Sequence, residues 1–168
     1  MIFKFLLHLL FKNRFLMQII SWKDKYAKDF EEMNLYWLEE FFWVEPHDRE
    51  VLGNPKKHII EPGGMIFFVE LEEEIVGCVA LMKIEEGTFE LTKMAVKPAF
   101  RGKKIGQKLL EHTLEYSRKK GWEKLIIYSN RKLENAIHLY KKSGFVEIPI
   151  EENGPYSRGD IKMELNLS

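Results

Sequence analysis

The chain has 168 residues, 45% of them hydrophobic, which suits one compact domain with a proper core. Lysine plus arginine and aspartate plus glutamate number 26 each, so the overall charge recommends neither a nucleic-acid nor a membrane partner. Cys78 is the only cysteine, which excludes an intrachain disulfide, and the histidines His8, His47, His58, His112 and His138 lack metal-ligand spacing, so no metal site is expected.

Residues 1–16 are rich in Phe and Leu, but Lys4, Lys12 and Arg14 interrupt them. The stretch is too short and too charged for a membrane span and carries no cleavage signal. It reads as a packing extension, a start outside the folded domain, or a short membrane-surface helix. The domain is expected over residues 17–168, in the cytoplasm and without a stable membrane partner. Residues 17–22 suggest a first strand. Tyr26, Phe30, Met33, Leu35, Trp37, Leu38 and Phe41 then recur mostly at helical spacings, predicting a helix or helix pair over 25–42. Residues 46–62, broken by Pro46, Gly53, Pro55 and Pro62, predict short helical turns.

Strand patterns follow at 65–71, 75–84 and 88–96, separated by Glu72-Glu73-Glu74 and Glu86-Gly87, as in an antiparallel meander. Cys78 lies inside the second run, where a buried thiol is expected. A helix over 105–120 carries Ile105, Leu109, Leu110, Thr113, Leu114 and Ser117 on one face and stops at Gly121. A buried strand at 124–129, a helix at about 134–143 ending at Gly144, and strands at 145–150 and 161–167 complete the pattern. Residues 151–160 form a polar loop. The fold class is α/β in the mixed α+β sense: one domain with a central mixed, largely antiparallel sheet flanked by helices.

The chemistry concentrates where the third meander strand meets the long helix. Between Val96 and Lys108 there are five basic residues (Lys97, Arg101, Lys103, Lys104, Lys108) and no acid. Glycines, free amides and positive charge at a helix start describe a site for phosphate groups. Neither the GxxxxGK[ST] nor the GxGxxG pattern is present. Residues 70–90 are acidic, so fields of opposite sign adjoin.

Arg101-Gly102-Lys103-Lys104-Ile105-Gly106 resembles the Arg/Gln-x-x-Gly-x-Gly/Ala signature of the GCN5-related N-acetyltransferase (GNAT) superfamily. Ala136-Ile137-His138-Leu139-Tyr140-Lys141-Lys142-Ser143-Gly144-Phe145 resembles its Ala-x-x-Leu-Tyr-x-x-x-Gly-Phe block, and the two follow in the family's order and separation. Lys104 departs from the pattern at its first glycine, but a backbone N–H survives that change and lysine adds favourable charge. The resemblance implies acetyl-CoA as cosubstrate, with its pyrophosphate on the amides of residues 101–106 and its pantetheine arm beside Met94, Ala95 and Val96. An asparagine common in the family falls at Leu133, and Ser129, Asn130 and Asn135 are the candidates to replace it.

The resemblance also implies Tyr140 as the general acid that protonates the leaving thiolate, and Glu90 as general base, directly or through water. Strand alternation would set Glu90, Thr92, Met94 and Val96 on one face. The expected reaction is direct acetyl transfer to a primary amine of a small molecule or peptide. Its pocket would lie near residues 36–43 and 153–160. Glu39, Glu40 and Glu45 suggest a cationic acceptor, and Tyr156 and Arg158 a carboxylate. The alternative function is a non-catalytic acyl-CoA sensor or interaction module. A homodimer through strand edges or the N-terminus is a further expectation.

Overall fold

The computed structural model describes residues 17–168. The reading of residues 1–16 lies outside the described residues. Seven strands form one sheet: β1 (Gln18–Ser21), β2 (Met65–Leu71), β3 (Glu74–Glu85), β4 (Thr88–Val96), β5 (Lys124–Ser129), β6 (Val146–Ile148) and β7 (Ile161–Asn166). Their order is β1-β2-β3-β4-β5-β7-β6. Every neighbouring pair is antiparallel except β4 and β5, which run parallel.

The helices are α1 (Ala27–Phe41), entered through a 3-10 turn at Asp24–Tyr26, α2 (Pro46–Gly53), α3 (Ile105–Lys119) and α4 (Glu134–Lys142). A π-helical turn at Lys56–Ile60 leads into β2. Alternation along β2 sorts the core into two layers. Ile66 and Phe68 face Phe30, Met33 and Leu38 of α1 and Val51 and Leu52 of α2. Phe67 and Val69 face Ile105, Leu109 and Leu114 of α3, with Tyr140 and Phe145 in the same layer. The sheet is therefore covered on both faces, and the expected fold class is observed.

The last two strands differ in length from expectation. β6 covers only Val146–Ile148, because Pro149 follows and has no N–H to continue the ladder with β7.

The consequential departure is inside β4. Cys78 pairs with Ala95 and Ala80 with Thr92, so Lys93 and Met94 together face Val79 alone. Such a bulge inserts one residue and reverses the alternation beyond it. Lys93 takes a left-handed backbone, φ 51°. The expected common face of Glu90, Thr92, Met94 and Val96 is corrected accordingly. Met94 and Val96 pack with Phe89 and Leu91 against the α3 layer. Glu90 and Thr92 point to the other side, where both meet Tyr156.

Gly77 lets β3 pass close under the start of α3. A Cβ there would lie 2.9 Å from Ile105 Cγ2 and 3.4 Å from Leu109 Cδ1, both of them fully packed side chains. Gly77→Ala should lower the unfolding free energy by about 1–3 kcal/mol through overpacking. Urea titration checks this, and an unchanged midpoint would mean that α3 shifts freely on the sheet.

Candidate active site

The parallel pair β4 and β5 is in register only from Thr88–Lys124 to Glu90–Ile126. Past that point the ladder stops, and Leu91, Thr92, Met94 and Ile127, Tyr128, Ser129 become opposite walls of a cavity of about 630 Å3. A cleft at the carboxyl ends of diverging strands is where α/β sheets hold ligands. α1 and its C-cap contribute Asn34, Trp37, Leu38, Phe41 and Phe42, and Tyr140, Tyr156 and Arg158 also line the cavity.

At one end of this cavity, β4 turns through a 3-10 segment into α3. Gly102 has φ 77° and Lys104, the residue before the helix, φ 61°. No side chain caps the helix. Among the described residues the amides of residues 102–107 find no acceptor, so six donors lie along one turn and the start of a helix. Lys103, Lys104 and Lys108 are exposed and make no ion pair among the described residues. The arrangement suits the diphosphate of a coenzyme A, and a Cβ on Gly106 would come within 3.9 Å of Met94 Sδ, next to the cavity wall.

Arg101 is used differently from its neighbours. Its guanidinium forms a bidentate pair with Glu40 at 2.9 and 2.6 Å, its Nε donates to the Val96 carbonyl, and it lies over the Phe41 ring. It ties the basic loop to α1. Lys97 likewise pairs with Glu74, so the acidic and basic stretches of the sequence meet each other in part.

Tyr140 reaches the cavity from α4. Burial pushes its phenol up to about 12, and its hydroxyl has no hydrogen-bond partner among the described residues. The phenol therefore stays protonated at neutral pH and free to donate.

On the other side of the bulge lies a polar cluster. Glu90 is 7% exposed and does not line the cavity. The Tyr156 hydroxyl donates to its Oε1 at 2.8 Å, and Thr92 Oγ1 lies 3.4 Å from the same hydroxyl. Burial raises the Glu90 carboxyl above its ordinary value, offset in part by the Tyr156 bond and the Lys93 charge. Burial and the Glu90 charge hold the Tyr156 phenol well above its own. Lys93 Nζ sits 2.6 Å from Asp48 Oδ1 and over the Tyr156 ring. Asp48 is fully buried and also receives both ends of the Arg158 guanidinium, which in addition pairs with Glu45.

Residues 21–145 match the family model described as the acetyltransferase (GNAT) family. The chain belongs to this family. An uncharacterized N-acetyltransferase of Schizosaccharomyces pombe is 30% identical over 122 residues, covering 70% of this chain and 74% of that protein. Among solved structures, a GNAT-family acetyltransferase of Staphylococcus aureus superposes with a TM-score of 0.81 at 21% identity, over 91% of this chain and all (100%) of that one. The PaiA N-acetyltransferase of Thermoplasma acidophilum, solved in complex with coenzyme A, superposes with a TM-score of 0.72 at 21% identity, over 90% of this chain and 99% of that one.

Seen as a GNAT chain, the residues singled out from sequence distribute unevenly. Met94, Val96, Arg101, Ser129, Asn130, Asn135 and Tyr140 line the cavity, while Gly102, Lys103, Lys104, Ile105 and Gly106 do not line it and follow Arg101 just beyond its edge. Ala95 is buried in the α1 layer and lines nothing. Asn130 spends its side chain locally, donating to the Arg158 carbonyl and accepting from the Lys132 amide. Asn135 forms no side-chain hydrogen bond among the described residues. Leu133 lines the cavity as an apolar residue.

Of the residues expected to read the acceptor, Glu39 is exposed and makes no ion pair among the described residues, and the others are already engaged. Glu40 holds Arg101, Glu45 holds Arg158, and Tyr156 holds Glu90. Tyr36 and Trp43 are exposed and do not line the cavity, whereas Trp37, Leu38, Phe41 and Phe42 do. Sequence reasoning missed Asn34, Asp48 and Lys93. A lysine inside a buried strand was the available signal for Lys93, because such a charge requires a partner.

Asp48 is expected to hold this corner of the site together. Asp48→Ala leaves Lys93 buried without a partner and should cost about 3–5 kcal/mol of stability. Burial alone would raise the Asp48 pKa, but the Arg158 bonds and the Lys93 charge bring it below the ordinary 3.8. Its contribution to stability is therefore present above 3.8 and lost as pH falls through the lower folded value. Urea midpoints measured between neutral and acidic pH check both effects. A midpoint insensitive to the substitution would mean that Lys93 finds another partner.

Proposed function

We propose that this GNAT protein transfers the acetyl group of acetyl-CoA directly to a primary amine of a small molecule or peptide. The observation that carries the reading is the run of six unpaired amides at residues 102–107, at the end of a cavity that Tyr140 also lines. Acetyl-CoA supplies the thioester. The chain supplies a diphosphate cradle, an apolar channel between β4 and β5, a phenol to protonate the departing thiol, and a buried carboxylate to take the amine's proton.

Glu90 does not line the cavity, so its link to an acceptor runs through Tyr156. As the amine gives a proton to the Tyr156 oxygen, Tyr156 passes its own to Glu90 and ends neutral. The raised Glu90 pKa favours this, since a more basic carboxylate holds the proton better. Tyr140, with its phenol at about 12, serves as the acid on the thiol side.

Calorimetric titration with acetyl-CoA tests the cradle. Saturable binding that weakens with added salt is expected, and no binding by folded protein would reject the reading. Tyr140→Phe should then lower kcat by roughly 100-fold while leaving the acetyl-CoA Kd unchanged. Equal rates would remove the acid role.

Glu90→Gln and Tyr156→Phe test the relay together. Each should lower kcat/KM by roughly 100-fold, and the double variant should be no worse than either, because the two act as one unit. In the unaltered protein, activity should rise with pH through the Glu90 titration, at a pH above the ordinary 4.5 for a glutamate. Additive losses in the double variant would show that the two residues act separately.

A further inference from the structure

Asn34 sits mid-way along α1, four residues from both Phe30 and Leu38 in a stripe that is otherwise apolar and buried. It is 3% exposed. A leucine would pack at such a position without the expense of desolvating an amide. The two N–H groups of Asn34 are both used: Nδ2 donates to the Phe30 carbonyl at 2.9 Å and to Cys78 Sγ at 3.4 Å. The Cys78 thiol in turn donates to the Lys93 carbonyl at 3.6 Å. Burial pushes that thiol up to about 12, so it keeps its proton and this bond.

The amide orientation is therefore fixed from behind, and Oδ1 is left without a donor among the described residues. No fully enclosed side-chain oxygen or nitrogen among those residues lacks a partner. The Asn34 oxygen accordingly meets the open space that the residue lines, which is the cavity. Cys78 connects Asn34 to the backbone of Lys93, whose ammonium lies over the Tyr156 ring. Asn34 and Tyr156 thus flank the same bulge.

We infer that Asn34 is a specificity-determining residue that accepts one N–H of the acceptor amine, while the other N–H is directed to Tyr156. This rests on the amine-acceptor reading above. A neutral primary amine has two N–H bonds and a lone pair. Both bonds are then held while the lone pair attacks the thioester carbon. The C–N bond forms, the C–S bond breaks, the sulfur takes the proton of Tyr140, and the amine's proton ends on Glu90 through Tyr156. An N-methyl amine has a single N–H, which the base requires, so Asn34 Oδ1 would stay unpaired. The site selects primary over secondary amines.

The test begins with transfer assays on benzylamine, spermidine, free amino acids and lysine-containing peptides, followed by the N-methyl counterpart of the best acceptor. Unaltered protein should favour the primary amine by about tenfold or more in kcat/KM. Asn34→Leu should lower kcat/KM for the primary amine by a similar factor, bring the primary-to-secondary ratio close to unity, and leave the acetyl-CoA Kd measured without acceptor unchanged. Equal rates for both amines in the unaltered protein overturn the inference without recourse to any variant. A weaker acetyl-CoA Kd in Asn34→Leu also overturns it, by assigning the oxygen to an amide of the cosubstrate. If Asn34→Leu does not fold, Cys78→Ala, which removes one of the two anchors, should narrow the same ratio, and an unchanged ratio counts against the inference. Acetyl-CoA binding with transfer to none of the amines rejects the amine-acceptor reading itself and the Asn34 assignment with it.

Discussion

A lysine that cannot leave the interior organises the site. The β4 bulge turns Lys93 toward the α1–α2 layer, where the residue is 8% exposed. A buried ammonium is tolerable only with an anion beside it, and Asp48 is that anion. Asp48 stands on the short helix α2, held at its start by a reciprocal cap between Glu45 and Asp48. Asp48 in turn fixes Arg158, and Arg158 brings the loop before β7 over the sheet. Tyr156 travels with that loop to Glu90. A single extra residue in one strand thus recruits a helix and a distant loop, and the loop lines one side of the cavity with Tyr156, Arg158 and Gly159.

The same bulge divides the labour of β4 between its two faces. Up to Leu91, alternation is regular, with Phe89 and Leu91 toward α3 and Glu90 toward Tyr156. After the bulge, Met94 and Val96 occupy the α3 side and border the basic turn, while Ala95 takes the other. Without the insertion, Met94 would point with Glu90 into the polar cluster, and the apolar lining next to the cradle of unpaired amides at the start of α3 would be lost. The Arg101–Glu40 pair then links that cradle to α1, the helix that carries Asn34 and the aromatic wall. At the exposure of these two side chains the pair adds little stability, so its effect is chiefly geometric.

Most of the architecture could be read from the residues because it depends on local pattern. Alternation located the strands, helical spacing located α1 and α3, and the Arg101–Gly106 run and the Tyr140 block each contain a residue that lines the cavity, Arg101 and Tyr140. What escaped was set by tertiary contact. Nothing near Lys93 announces a left-handed backbone, a conformation disfavoured by roughly 1–2 kcal/mol for a residue with a Cβ. It persists because Asp48, 45 residues earlier in the chain, stabilises where it sends the ammonium. The acidic residues near α1 were equally opaque. Glu40 and Glu45 read as candidates for binding a cation, and they do bind cations, but those of Arg101 and Arg158.

Lys104 shows how a departure from a family pattern can preserve its physics. Its left-handed backbone is where the GNAT signature has glycine, so lysine there is strained. The strain falls on an exposed residue at a helix start, where no packing has to give way. The strongest N-cap residues, Ser, Thr, Asp and Asn, are absent, and their side chains would have accepted from the second or third amide of the helix. Such a cap would have strengthened α3 and, in the same stroke, occupied donors that are otherwise free to meet an anion. Lysine satisfies none of them and adds a positive charge beside them. The helix start remains underbonded on its own, which is the condition for binding an anion there.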